Sequence, residues 1–154
     1  MILGIDLATV NCGLCFMQED ETCSFATIGM KDLEDETILK FADSLSLLVH
    51  EHVCFVDFYF NECFLPNKRK HIALKYYLAA TIQQSAKETY FIKPSAVREY
   101  FGQAPKMNKY KFHEVMFSGD MMKQENEHHR DAYLLALMGW TEQSKRDNPS
   151  RWGN

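Results

Sequence analysis

Apolar and polar residues follow two different periods along this chain, and the change of period separates predicted strands from predicted helices. Residues 1–6 alternate as a short buried strand does and end on the carboxylate of Asp6. After a turn at Asn11 and Gly13, residues 13–17 and 22–30 predict two further strands joined by an acidic turn. A dense run of Val, Phe and Tyr at 53–60 predicts a central strand, and 89–92 predicts a short fifth one.

Between and after these strands the apolar residues recur at helical spacing. This period predicts helices over 33–50 and 72–87, with a basic loop at 66–70 before the second one. Pro94 suits the first turn of a helix that Gly102 stops, and Asn108 can cap another that runs to 117. A last helix is expected over 127–143, with a packing face of small and apolar residues: Ala132, Leu135, Ala136 and Gly139. The order of elements predicts one α/β domain with a mixed sheet over 1–144 and a polar tail over 145–154.

Composition narrows the class of protein. The chain is 46% apolar and 25% charged, an ordinary globular balance, without the run of roughly 20 apolar residues that crosses a bilayer. No signal segment opens it, so we expect a protein of the cytoplasm that needs no membrane. The five cysteines, an odd number among apolar neighbours, predict free buried thiols. Cys12 and Cys15 lie three apart in an extended run, on opposite faces, which argues against a redox or zinc pair.

Charge is distributed unevenly. The whole chain carries −4, yet the segment 66–111 contains ten basic residues and two acidic ones, a net +8 that leaves −12 for the rest. Such asymmetry indicates either a basic face for a polyanion or a set of solvated helix faces.

Three places put acidic or imidazole groups where they can meet. Asp6 and Glu62 end the first and fourth predicted strands, and His128 and Asp131 share one face of the last helix. Carboxylates gathered from two strands and a helix repel unless a cation lies between them, and oxygen-rich sites suit Mg²⁺ or Mn²⁺. The alternative is a structural role for each residue: a turn-capping Asp6, a polar strand end, and a solvated first helical turn.

Three segments and one lysine resemble the RuvC family of Holliday-junction resolvases in their type and order along the chain. The opening Ile-Leu-Gly-Ile-Asp at 2–6, followed by Gly13, is similar to the family's first strand. The segment 57–62 resembles its fourth strand, which ends in a catalytic glutamate, and 128–132 resembles its closing His-x-x-Asp-Ala. Lys109 falls where the family has a functional lysine at a helix start. The resemblance covers residues 1–140 and implies a ribonuclease H-like fold with a five-stranded mixed sheet flanked by helices.

The same resemblance implies a function. It implies a homodimer that resolves four-way DNA by paired nicking, leaving 5′-phosphate and 3′-hydroxyl ends. Asp6, Glu62 and Asp131 would bind Mg²⁺, for which Mn²⁺ can substitute, and His128 would be a further ligand or a general acid/base. Lys109 would stabilise charge at the scissile phosphate. The expected DNA contacts are Lys68, Arg69, Lys70, Lys106, Lys111 and Phe64.

The chain departs from the family at several positions. Leu7-Ala8 replaces the usual Pro-Gly, and Leu65, with Phe64 beside it, occupies the position of the aromatic wedge. The chain is somewhat shorter than bacterial members, as viral ones can be; if it is viral, the expected location is the host cytoplasm. Should Glu62 lie far from Asp6, Asp57 is the replacement candidate from the same strand.

Other classes remain to be separated by experiment. A related nuclease or transposase for other branched or single-stranded nucleic acid would share the site. A catalytically silent junction-binding protein would have lost a metal ligand, whereas all four positions here hold usable ones. An ATP-binding fold of the sugar-kinase and actin type also opens with a strand and Asp, but it needs two such domains, too many for 154 residues.

Overall fold

The computed structural model describes residues 1–8, 10–58, 69–117 and 126–147. Within these ranges the chain forms five strands, β1 (Ile2–Asp6), β2 (Asn11–Met17), β3 (Cys23–Gly29), β4 (Val53–Asp57) and β5 (Glu88–Ile92). The helices described there are α1 (Asp35–Val49), α2 (Arg69–Ser85), α3 (Pro94–Tyr100), α4 (Lys109–Met116) and α5 (Glu127–Asp147).

The strands form one mixed sheet in the order β3-β2-β1-β4-β5. β1 pairs antiparallel with β2 and parallel with β4, so the predicted neighbourhood of the first and fourth strands is confirmed. β5 pairs parallel with β4. The predicted five-stranded α/β architecture is therefore correct.

Helices cover both faces of the sheet, and the sheet separates the hydrophobic core into two clusters. On one face, side chains such as Leu3 and Ile5 pack with Leu45 of α1 and Leu78 of α2. On the other face, Phe112 of α4 and the small residues of α5 pack against the alternate positions of the strands. Cys12 belongs to the first cluster and Cys15 to the second, so the two thiols lie on opposite faces as predicted.

Some boundaries differ from the sequence prediction. β2 begins at Asn11, where a turn was expected, and α2 begins at Arg69, so Arg69 and Lys70 are helical rather than part of a loop. Both residue types are good helix formers. α5 continues to Asp147, into the predicted tail, with Lys145 and Arg146 favourably placed in its last turn. Cys23 is exposed rather than buried.

Two glycines let α5 lie close against the sheet. A Cβ at Gly4 would collide with the backbone of Ala132, and one at Gly13 would collide with the backbone of His128. Gly13, expected to begin the second strand after a turn, lies within β2 and leaves space for the helix. This close approach places the first turns of α5 over the end of β1, where the site described next is built.

Candidate active site

The carboxyl ends of β1 and β4 carry two aspartates side by side. Asp6 and Asp57 are the last residues of their strands and are direct partners in the parallel register. The side chain of Asp6 is buried, and this burial together with the charge of Asp131 raises the pKa of Asp6. Parallel pairing therefore creates an acidic pair at one edge of the sheet, a costly arrangement in the absence of a cation.

His128 connects α5 to this edge. Its Nδ1 lies 2.9 Å from Oδ2 of Asp6, a hydrogen bond in which the ring N–H donates to the carboxylate. The hydrogen bond fixes one nitrogen of the ring and leaves Nε2 as the atom that can exchange a proton or bind a ligand.

Asp131, one turn further along α5, has a cation or a donor at each oxygen. Lys109 Nζ lies 2.7 Å from Oδ2, and His113 Nε2 lies 2.7 Å from Oδ1. Burial acts to raise the pKa of Asp131, but these hydrogen bonds and charges outweigh it and the pKa is lowered. Asp131 is therefore held as an anion.

Lys109 lies between two acidic groups at the start of α4. Its ammonium is also 2.7 Å from Oε1 of Glu127. Burial would lower the pKa of Lys109, but the hydrogen bonds to Asp131 and Glu127 dominate and raise it. The Asn108 side chain accepts a hydrogen bond from the Lys111 backbone N–H at 2.8 Å. The predicted cap therefore fixes the start of α4, where Lys109 lies.

Asp57 faces the opposite electrostatic situation. Burial raises its pKa to about 7, with further contributions from the negative charges of Asp6 and Asp131 that Lys75 and Lys109 only partly offset. Asp57, Lys109 and Asp131 also line a common cavity of about 210 Å³. Asp57, which the sequence offered as the alternative to Glu62, is thus part of the acidic cluster.

Several predicted residues lie outside the described ranges. These are Glu62, Phe64 and Lys68, together with Leu65. Of the other expected DNA contacts, Arg69 and Lys70 are exposed at the start of α2, and Lys106 and Lys111 are exposed near the start of α4. Arg98, also in the basic segment, turns inward instead: its Nε donates to the Met107 carbonyl at 2.6 Å and its guanidinium lies over the Phe112 ring.

Sequence reasoning did not identify His113 or Glu127. A signal was present, because His113 follows Lys109 by four residues and so shares its helix face. Glu127 occupies the first turn of α5, where a carboxylate is favoured by the helix dipole whether or not it has a function.

The donor set is suited to a divalent cation, although the side chains do not form a finished cage. Among the described residues, no group of three or more His, Cys, Asp or Glu side chains is arranged to hold a metal ion. The chemistry nevertheless fits Mg²⁺: carboxylate oxygens predominate, and burial together with the neighbouring carboxylates raises the pKa of Asp6 and Asp57. Within the same ranges, no helix has the length and apolar character needed to cross a membrane.

Comparison with known proteins agrees with this architecture. No protein-family model matches the chain, and no curated protein sequence does either. Among solved structures, Thermus thermophilus RuvC matches with a TM-score of 0.61 and 14% identity, over 92% of this chain and 95% of that one. T. thermophilus RuvC in complex with a Holliday junction substrate matches with a TM-score of 0.61 and 11% identity, over 92% and 94% of the two chains. This chain therefore has the ribonuclease H-like fold of RuvC, with its own acidic cluster at the carboxyl ends of β1 and β4.

Proposed function

We propose that this protein is a Mg²⁺-dependent endonuclease that resolves four-way DNA junctions. The observation that carries the proposal is the convergence of Asp6, Asp57 and Asp131, with His128 and Lys109, at one edge of a RuvC-like fold. A purely structural role accounts less well for Asp57, which is buried beside two further carboxylates and has its pKa raised to about 7.

Asp6 and Asp131 would hold Mg²⁺ with a third carboxylate, Glu62 or Asp57, and Mn²⁺ would substitute. When bound, such an ion activates water and stabilises the leaving oxygen of a phosphodiester. Two observations support Asp57 as the third metal-binding carboxylate: it is the direct strand partner of Asp6, and the charge of Asp131 contributes to its raised pKa.

The protein's own groups supply the remaining chemistry. With Nδ1 engaged by Asp6, His128 would bind a ligand or move a proton through Nε2. Lys109 presents a positive charge that would exchange part of its contact with Asp131 and Glu127 for a phosphate oxygen. Hydrolysis would leave 5′-phosphate and 3′-hydroxyl ends.

The basic segment supports DNA as the substrate. Arg69 and Lys70 are exposed on α2 and carry positive charges that would contact phosphate oxygens. Lys106 and Lys111 are exposed beside Lys109, and Lys68 and Phe64 belong to the proposal from the sequence. These contacts would position DNA without reading its sequence.

Paired nicking requires two sites on symmetry-related strands, so the proposal includes a homodimer acting in the cytoplasm. The T. thermophilus structure with a Holliday junction supports the choice of substrate by analogy of fold.

The decisive experiment is a substrate panel. Four-way junction, replication fork, flap, duplex and single-stranded DNA are incubated with the protein and Mg²⁺, and Asp6→Asn is run in parallel. The expected result is symmetric nicking of the junction by the wild type alone. Preferential cutting of another substrate would instead favour a related nuclease, and binding without cutting would favour a silent junction-binding protein.

A further inference from the structure

His113 is an unusual buried group next to the acidic cluster. Among the described residues, only Asp6 and His113 combine a polar or charged side chain with burial of more than nine tenths, and His113 is 8% exposed. Buried polar groups are expensive unless they are paired, so the partner of this imidazole carries information.

That partner is Asp131, and the geometry identifies the donor. His113 Nε2 lies 2.7 Å from Asp131 Oδ1. On the other side of the ring, Nε of Arg130 donates to His113 Nδ1 at 3.4 Å. Since Nδ1 accepts, the neutral ring carries its proton on Nε2 and donates it to the carboxylate.

Packing holds the ring in place. The edge of the Phe117 ring meets the imidazole at a centroid distance of 5.8 Å and an interplanar angle of 74°. Phe112 lies beside it at 6.3 Å. A hydrogen bond from a ring that is confined in this way fixes the rotation of the carboxylate that accepts it.

His113 and Lys109 divide the carboxylate between them. The two residues are four apart on α4, and each contacts one oxygen of Asp131. They differ in freedom, because the Lys109 side chain is 41% exposed and that of His113 is 9% exposed. Lys109 is thus free to turn toward a phosphate while His113 keeps its hold.

We propose that His113 is a positioning residue that orients Asp131 for metal binding, with Arg130 selecting the imidazole tautomer that donates. This inference rests on the proposed function in that it takes Asp131 as a metal ligand. Its mechanism is general, because groups that hydrogen-bond a ligating carboxylate set its orientation and affinity, typically by 10-fold or more.

The test measures Mn²⁺ affinity by titration calorimetry or electron paramagnetic resonance on the full chain without DNA. His113→Phe keeps the ring shape but removes the donor, and it should weaken Mn²⁺ binding by about 10-fold. His113→Gln places an amide N–H near the former Nε2 and should recover much of the affinity. Arg130→Met frees the tautomer and should give a smaller loss.

Two controls separate positioning from general support of the fold. Leu78→Ala creates a cavity on the opposite face of the sheet, away from Asp131, and should lower thermal stability without changing Mn²⁺ affinity. In an Asp131→Asn background, His113→Phe should have no further effect on Mn²⁺ affinity, because the carboxylate through which it acts is gone.

Unchanged Mn²⁺ affinity in His113→Phe would overturn the inference. So would equal losses in His113→Phe and Leu78→Ala, which would indicate a purely structural role. If His113→Phe does not fold, the comparison of His113→Gln with Arg130→Met decides, and a larger loss in His113→Gln would contradict the proposal. Absence of junction cleavage by wild type would refute the proposed function while leaving the Mn²⁺ measurement intact.

Discussion

The helix side and the strand side of the acidic cluster treat their carboxylates in opposite ways. On α5, Asp131 has Lys109 and His113 at its two oxygens, and its pKa is lowered. At the end of β4, Asp57 faces the charges of Asp6 and Asp131, and its pKa rises to about 7. Burial acts in the same direction on both residues, so the partners decide the difference.

This contrast shows how the site divides two tasks. On the helix side, Lys109 and His113 contact the two oxygens of Asp131 and keep this carboxylate ionised in the absence of a ligand. The parallel strands bring Asp6 and Asp57 together because the register of β1 and β4 makes these two residues direct partners. Ionisation of Asp57 beside Asp6 is therefore electrostatically unfavourable, and a bound cation would reduce this repulsion.

The largest expected effect tests the strand side through Asp6. Asp6→Asn should reduce junction cleavage by about 10³-fold or more, since losing a metal ligand removes several kcal/mol of charge stabilisation. Junction binding should persist, because the proposed phosphate contacts belong mainly to the basic segment. Single-turnover cleavage and gel-shift assays in Ca²⁺ measure the two quantities.

Glu36→Gln is a suitable control for this variant. It removes an exposed acid of α1 that pairs with Lys40, far in sequence from the cluster, and should cleave like wild type. A normal rate in Asp6→Asn would refute the catalytic assignment. Running Glu62→Gln and Asp57→Asn in the same assay identifies the third carboxylate by the larger loss.

A second, smaller effect tests the helix side through its cation. Lys109→Met should slow cleavage by about 10²-fold, because the proposal gives this lysine the positive charge that stabilises the scissile phosphate. Lys109→Arg, which keeps the charge, should recover part of the rate. If Lys109→Met lowers stability but leaves the single-turnover rate unchanged, this lysine only neutralises Asp131 and Glu127.

The third prediction compares the basic segment with the acidic remainder. Replacing Lys68, Arg69 and Lys70 together with Ala should weaken binding to all junction sequences alike and flatten the slope of log affinity against log salt by up to about three units. A matched triple of alanine replacements outside the segment, at Lys31, Lys40 and Lys145, should leave the slope near that of wild type. Equal salt slopes in the two triple variants would show that residues 68–70 do not contact DNA and that the DNA-binding surface lies on another face.

The smallest effect tests the pKa contrast directly. Because the folded pKa of Asp57 is raised, the folded chain binds a proton between pH 4 and 7 that the unfolded chain releases, so stability falls as pH rises through this window. Asp57→Asn should therefore stabilise the metal-free protein at pH 8 by about 1–2 kcal/mol, below a ceiling of about 4 kcal/mol set by the shift. Near pH 4 the gain should vanish.

Denaturant unfolding in EDTA at the two pH values measures this difference. Asp43→Asn, an exposed change on α1, is the control and should have little effect at either pH. A gain from Asp57→Asn that is equal at both pH values would show that repulsion among the carboxylates is not its cause.

Sequence periodicity was sufficient for most of the architecture. Alternation at 1–6 and a dense apolar run at 53–60 identify strands because a sheet buries alternate or all side chains, and small residues on the last helix identify its packing face. The positions of Asp6, His128 and Asp131 within these elements predict that the three side chains lie close together. In the structure His128 contacts Asp6, and the charge of Asp131 contributes to the raised pKa of Asp6. The residues 59–68, including Glu62, lie outside the described ranges.

Only the tertiary structure decided which neighbours set the chemistry. The register that pairs Asp6 with Asp57 and the contact of His113 with Asp131 both join residues distant in sequence, and no local period encodes such distances. The inward turn of Arg98 likewise depends on the Met107 carbonyl and the Phe112 ring. The sequence by itself determined the types of element and the residues at their ends, because these follow from local sterics and burial. The charge state and orientation of those residues were decided by packing, because electrostatic energy depends on through-space distance.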